Sequence, residues 1–354
     1  MNIKKLFTIL LSIFFTASLL GCANAAKWEQ AYIYERPAIG FTVDDEVITN
    51  VIIDKQSRLA IEAQNGIIKI AQWDKEYLQI IERRKLKGPS AKKNLKTMLG
   101  KNTFNIEKTS FQITLEKEPE KEPKPFFRRT DDIELMVPET LKNIDINAKN
   151  GGISLSGIRD MQSVNITLKN GSINMDNCEV YKVEADIANG DIDMAEIEGS
   201  GRYKCGRGNI NLRDITGDIE LQSVSGDTVI EKAEGKLDAD ISLGSITVKN
   251  SRLIGESVLY ATYGNIGVDL EGLEASGKCS IKAAKGNIRL KMPEKTGVSL
   301  QLRSTKGRIV DNLGLASEKL VKAPAGGVYG SIGGGGSTVD VYVDRGDIYL
   351  EKGE

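Results

Sequence analysis

Residues Val164–Leu212 read VNITLKNGSINMDNCEVYKVEADIANGDIDMAEIEGSGRYKCGRGNINL. A glycine, a polar residue and an isoleucine recur in this stretch at Gly171-Ser172-Ile173, Gly190-Asp191-Ile192 and Gly208-Asn209-Ile210. Working outward, the same motif stands at Gly151-Gly152-Ile153 on one side. On the other side it continues at Gly226, Gly244, Gly264, Gly286 and Gly307. Successive glycines are 18 to 22 residues apart. A fixed period of about 20 residues is the signature of a solenoid, so it outranks any local secondary-structure argument.

Aligning the repeats on the glycine shows what one coil contains. Five residues before it stand Ile146, Ile166, Ala185, Tyr203, Leu221, Ala239, Leu259, Ile281 and Leu302; the position after each is polar in most coils. Two residues beyond the glycine stands isoleucine in every coil except at Thr228. Four beyond stand Leu155, Met175, Met194, Leu212, Ile230, Val248, Val268 and Leu290, and the pattern fails only at Asp311. Apolar and polar residues alternate with period two, which describes a strand with one face buried. Each coil therefore reads as strand, glycine corner, strand, with a second corner marked by Gly199, Gly217 or Gly235. Glycine suits a corner because it reaches positive φ without a Cβ clash. Helical spacing of three and four is missing, and so is the leucine-rich repeat signature. No proline lies between Pro138 and Pro293, as expected where every strand is flanked on both sides. The expected fold is all-β with few helices: a single-stranded β-solenoid of 18–22-residue coils stacked about 4.8 Å apart. In this phase Ile210 and Leu212 point inward, while Asn209 and Asn211 point outward.

The template also fits around Gly66, with Leu59, Ile61, Ile68 and Ile70, and around Gly346, with Val339, Val341, Val343, Ile348 and Leu350. Two segments break it. Residues 82–101 carry eight lysines and arginines against the single acid Glu82, and residues 117–125 read KEPEKEPKP. Both read as loops extruded from N-terminal coils. The stretch 326–336, with seven glycines in eleven residues, reads as a mobile loop before the last coil.

The N-terminus reads as a leader. Lys4 and Lys5 precede an apolar run from Leu6 to Leu20, which is the layout of a secretory signal. Leu19-Leu20-Gly21-Cys22 then resembles the bacterial lipobox, in which cleavage precedes a cysteine that becomes lipidated. The alternative is ordinary cleavage after Ala25 or Ala26. Removing residues 1–21 takes two lysines and no acid, so the formal charge falls from −1 to −3. The expected organisation is a lipoprotein signal at 1–21, a tether at 22–39, N-terminal coils with their two insertions at 40–140, and a regular solenoid at 141–354. The expected location is outside the cytoplasm, anchored in a membrane of the bacterial envelope through Cys22.

Composition removes several function classes. The chain has no histidine, which excludes Ser-His-Asp and Cys-His catalysis and any histidine-ligated metal. Lys+Arg is 48 against Asp+Glu 49, so nothing suggests a nucleic-acid partner held by counterion release. Four cysteines are too few for a disulfide scaffold. Cys178, Cys205 and Cys279 all fall on inward positions and read as small buried hydrophobes. Cys205 and Cys279 are four coils, about 19 Å, apart, too far to bridge.

The corners NGSI, NGDI and GDI, the leader and Val137-Pro138 entering the first clear coil resemble the putative-adhesin β-strand-repeat proteins of bacterial envelopes. The resemblance covers roughly residues 40–354. It implies a β-solenoid and an adhesive role, and it brings no catalytic motif, metal or cofactor. The insertions at 82–101 and 117–125 depart from the pattern.

Two function classes follow. In the first, the regular faces present a non-enzymatic binding or adhesive surface, with an envelope polysaccharide or a surface protein as partner. A purely structural, self-assembling envelope element is a variant of it. In the second, the scaffold carries a polysaccharide lyase, which pairs calcium-binding carboxylates with a basic residue; Asp186, Asp191 and Asp193 with Arg202 and Lys204 are the candidates. Against that stands the simpler reading of solvated outward residues and aspartates capping their own turns. The lysine run at 82–101 could touch anionic headgroups or acidic polymers, but a solvated loop is the preferred reading. Trp28, Trp73 and Tyr77 are candidates for a sugar-stacking patch, but Trp73 stands seven residues after Gly66, an inward phase, so a core position is expected for it. The expectation is a binding module without catalytic residues, metal or cofactor.

Overall fold

The computed structural model of this chain describes residues 40–100, 103–117, 126–293, 297–313, 321–322, 327–333 and 336–353. The coil at Gly208 illustrates the repeat. Tyr203 and Cys205 point inward, Gly208 turns the chain at φ 139°, and Ile210 and Leu212 point inward again. Asp214 makes a second bend at φ 53°, Ile215 faces the interior, and Gly217 makes a third bend at φ 140°. The next coil lies on it in parallel register, Ile210 beside Thr228 and Gly201 beside Ile219. Extended backbone persists through the bends, so Met161–Arg207 is one unbroken strand of 47 residues. Ile210 and Leu212 are buried and Asn209 and Asn211 exposed.

Closeness of the coils, more than backbone freedom, demands glycine at the first corner. A Cβ on Gly208 would overlap the carbonyl oxygen of Gly190, and one on Gly226 that of Gly208. The same overlap links Gly66, Gly151, Gly171, Gly190, Gly208, Gly226, Gly244, Gly264, Gly286, Gly346 and Gly307, in that spatial order. The second bend is built differently. Asn177, Glu196, Asp214, Lys232 and Asn250 hold φ between 47° and 55°, the left-handed region, at successive coils. Asn and Asp tolerate it; Glu and Lys do not enter it readily.

Polar columns tie the coils together outside. From the Gly190 corner to the Gly346 corner, the residue after the glycine accepts a hydrogen bond from the backbone N–H of its counterpart in the next coil. Asp191 accepts from Asn209 at 2.7 Å, Asn209 from Asp227, Asp227 from Ser245, Ser245 from Asn265, and Asn265 from Asn287. Asn287 then accepts from Asp347, and Asp347 from Arg308. Before the glycine, amides pair side chain to side chain along Asn65, Asn150, Asn170 and Asn189.

Chain order and spatial order disagree at both ends. Arg58–Trp73 lies in parallel between the coil of Asn143–Ser156 and an outer coil formed by Gln112–Glu116 and Arg128–Pro138. At the other end, Ser337–Arg345 and Ile348–Lys352 slot between Lys278–Met292 and Val298–Asp311. The Gly346 coil is therefore last in sequence but penultimate in space. Antiparallel strands close the stack. Tyr77–Gly88 lies on Arg128–Pro138, and Phe41–Ile52 lies on Tyr77–Gly88. At the far end Gly327–Ile332 lies on Val298–Lys306.

Three expectations are corrected here. The basic stretch 82–101 is no loop: it is the second half of strand Tyr77–Gly88 followed by helix Lys92–Gly100. The period of two does continue through Leu78, Ile80, Glu82, Arg84 and Leu86, all buried, but two of those positions carry charges, which conceals it. Neighbouring strands supply counterions: Arg84 meets Asp45 at 2.6 Å, and Arg83 meets Glu46 at 3.0 Å and Glu134 at 2.6 Å. The helix seats Leu95 and Leu99, four residues apart, against Val43 and Leu86. The glycine-rich stretch 326–336 contributes the strand Gly327–Ile332, because ladder hydrogen bonds need no side chain. Trp73 is half-buried rather than core: its indole N–H donates to the Tyr77 carbonyl at 2.9 Å and its ring meets Tyr77 edge-on. Of the 117–125 segment, Lys117 is buried beside Asp131 at 2.6 Å; 118–125 lie outside the described residues, as do Trp28 and Cys22.

Candidate binding groove

The lyase constellation does not assemble. Asp186 and Lys204 of the next coil line one shallow depression before the Gly190 corner, whereas Asp191 and Asp193 lie beyond that corner against Asn209 and Asn211. Asp191 accepts the N–H of Asn209 and Asp193 the side-chain amide of Asn211 at 2.7 Å, so both carboxylates stitch neighbouring coils rather than cap their own turns. Arg202 is paired with Glu220 at 2.7 Å. Among the described residues no group of three or more Asp, Glu or Cys side chains is placed to hold a metal ion.

The thiols sit where the alternation puts them, buried and unbridged. Burial pushes the Cys205 thiol up to about 11, with Asp191 and Asp186 adding to it, and the Cys279 thiol up to about 12. Such thiols stay protonated and unreactive.

A broad depression lies on the face beyond the corner glycines, across the coils of Gly244, Gly264, Gly286 and Gly346. Its volume is about 770 Å³, within the range of small-ligand sites. It exists because one outward column loses a side chain. That column runs Thr247, Gly267, Arg289, Tyr349 in strict register. A Cβ on Gly267 would meet nothing within 4 Å, so this glycine serves neither a turn nor a close approach. The Gly264 coil also shifts register against the Gly244 coil between Val248 and Arg252.

The walls are polar and carry charges of both signs. One side carries Lys249, Asp269 and Lys291, with Glu351 as the register neighbour of Lys291. The corner side carries Ser245, Asn265 and Asn287. The amide oxygens of Asn265 and Asn287 accept the backbone N–H of the next coil, leaving their NH₂ groups as outward donors. Tyr349 closes one end. Its hydroxyl donates to Asp347 at 3.2 Å, and the Arg289 guanidinium lies 5.7 Å over its ring while pairing with Glu351 at 2.8 Å. The groove thus offers donors and acceptors side by side around an aromatic wall, with Lys249, Arg289 and Lys291 set against Asp269 and the adjoining Glu351.

The Toastrack DUF4097 family model matches residues 42–257, more than half of the chain. The chain belongs to the Toastrack DUF4097 family. The match runs from the capping strand Phe41–Ile52 to the start of strand Glu256–Tyr263, so the Toastrack segment supplies only the Gly244 wall of the groove. No curated protein matches this Toastrack chain. Among solved structures it is similar to a putative cell adhesion protein from Clostridium sporogenes, at 10% identity over 88% of this chain and 100% of that one, TM-score 0.21. It is also similar to putative adhesins from Bacteroides fragilis (13% identity, 87% and 97% covered, TM-score 0.31) and Parabacteroides merdae (16% identity, 88% and 97% covered, TM-score 0.30).

Sequence reasoning placed the corner glycines and the buried cysteines but missed this site. The signal was present: Gly267 is a glycine at an outward strand position, where nothing about the backbone calls for one.

Proposed function

We propose that this protein is a non-enzymatic binding module of the bacterial cell envelope, tethered to a membrane through a lipid on Cys22 and presenting the solenoid's outer faces to a surface partner. One observation carries the reading. An outward column that carries side chains at Thr247, Arg289 and Tyr349 lacks one at Gly267, and polar side chains line the open groove this leaves. The anchor rests on Leu19-Leu20-Gly21-Cys22 after a lysine-led apolar run. No helix among the described residues is long and apolar enough to cross a membrane. A buried acyl CH₂ contributes about 0.8 kcal/mol, so stable attachment takes more than one chain.

Two experiments test the reading. Cys22→Ser should move the protein from the membrane pellet to the soluble fraction; equal partitioning of variant and wild type refutes the anchor. Incubated with whole-envelope extracts, the protein should retain a defined component without altering it. Release of unsaturated products from pectate, alginate or glycosaminoglycans, abolished by Asp191→Ala and Lys204→Ala, would instead establish a lyase.

A further inference from the structure

We propose that the groove centred on Gly267 binds a neutral polysaccharide chain, a proposal that rests on the binding-module reading and names its ligand class. Three features carry it. The first is vacancy without strain: φ at Gly267 is not in the left-handed region and no atom approaches its missing Cβ, so a side chain would fit and its absence opens the floor.

The second is charge. Lys249, Asp269, Lys291 and Glu351 alternate in sign along one wall, and Arg289 is already paired with Glu351. An acidic polymer would face Asp269 and Glu351 as well as the lysines, and a basic one the reverse. A polyhydroxylated chain, whose hydroxyls both donate and accept, matches a wall that alternates acceptor and donor. The amide donors of Asn265 and Asn287 and the hydroxyls of Ser245 and Thr247 add to the same match. The third is periodicity. The lining repeats at the coil spacing of about 4.8 Å, which suits a ligand that is itself a repeating polymer. Tyr349, held by Asp347 and Arg289, supplies a preorganised aromatic wall for the apolar edge of a sugar ring.

The test uses the full chain in detergent micelles and affinity electrophoresis through gels containing dextran, glucan or mannan, against polygalacturonate and alginate. Gly267→Phe fills the groove at an unstrained position. Gly152→Phe is the control, placing the same ring on the same face, where a Cβ meets only Ser172 Oγ at 3.7 Å. Both variants should melt cooperatively near the wild type. Wild type and Gly152→Phe should be retarded by a neutral polymer, equally at low and high salt. Gly267→Phe should weaken that retardation about tenfold or more, which corresponds to about 1.4 kcal/mol. Equal retardation of Gly267→Phe overturns the proposal, as does retardation confined to acidic polymers and lost in salt, or no retardation by any neutral polymer. If the protein still captures an envelope component when the groove is filled, the groove assignment falls and the binding-module reading stands. If wild type captures nothing from envelope extracts, that broader reading falls.

Discussion

Thr228 interrupts an inward isoleucine column that otherwise runs Ile192, Ile210, Ile246, Ile266 and Ile288. It is fully buried, and its hydroxyl has no hydrogen-bond partner. A buried hydroxyl left unpaired costs more than the methyl it displaces. Thr228→Val is therefore expected to raise stability by about 1 kcal/mol, read as a higher urea midpoint at unchanged slope. Lys232 makes the opposite lesson: its side chain is unremarkable, but its backbone sits at φ 55°. Lys232→Gly should stabilise by up to about 1 kcal/mol, and Asn250→Gly by less, because asparagine already tolerates that region. The isoleucine column was readable from the repeat. The left-handed column was not, since Asn, Glu, Asp, Lys and Asn share no chemistry, only a backbone geometry imposed by the coils on either side.

Corners and caps are where elements, rather than residues, decide the energetics. Gly208→Ala must push its Cβ into the Gly190 carbonyl at an already left-handed φ, and a loss of more than about 3 kcal/mol is expected. Gly267→Ala, in a strand of the same sheet, meets nothing and should be neutral or stabilising by about 0.5 kcal/mol. Thermal melts of the two variants decide the contrast. Tyr203 shows the same logic between positions: its buried ring fills the space that Gly201 leaves, so Gly201→Ala should be severe alone and mild in a Tyr203→Leu background.

The N-terminal cap holds an unusual buried group of charges, with Glu82 and Arg84 on one strand, Asp131 on the next, and Lys117 against Asp131. Burial raises the Glu82 carboxyl above its usual value of 4.5, despite Lys117 and Arg84 nearby. A raised acid favours the folded state while protonated, so its contribution is fully present below pH 4.5 and is lost as pH climbs through the folded value. Denaturant titrations of Glu82→Gln should consequently lack a decline that the wild type shows over that window. A difference between the two proteins that stays constant with pH would refute it.

At the scale of the whole molecule, the solenoid's ends are its vulnerable part. A parallel stack presents unpaired N–H and C=O rows at each end, which recruit other strands unless covered. This chain covers them by sending its last coil back inside the stack and laying antiparallel strands outside both terminal coils. Ending the chain at Met292 would strip the Gly346 coil and its cover from Lys278–Met292. Concentration-dependent association is expected by light scattering, with the full-length chain remaining dispersed.

By itself the sequence determined the class of fold, the phase of every regular coil, the corner glycines and the burial of three cysteines. All of these are consequences of a repeat in which each coil must bury the same face. Tertiary structure decided what the repeat leaves degenerate. Coils with interchangeable inward faces can stack in several orders, so nothing local tells Gly346 to lie between Gly286 and Gly307. Charges at inward positions of the cap are tolerable only beside partners such as Asp45 and Asp131, so strand Tyr77–Gly88 is concealed until those partners are in place. The groove, likewise, is a missing side chain: Gly267 is one glycine among 36 in sequence, and becomes a site only when Thr247, Arg289 and Tyr349 are aligned around it.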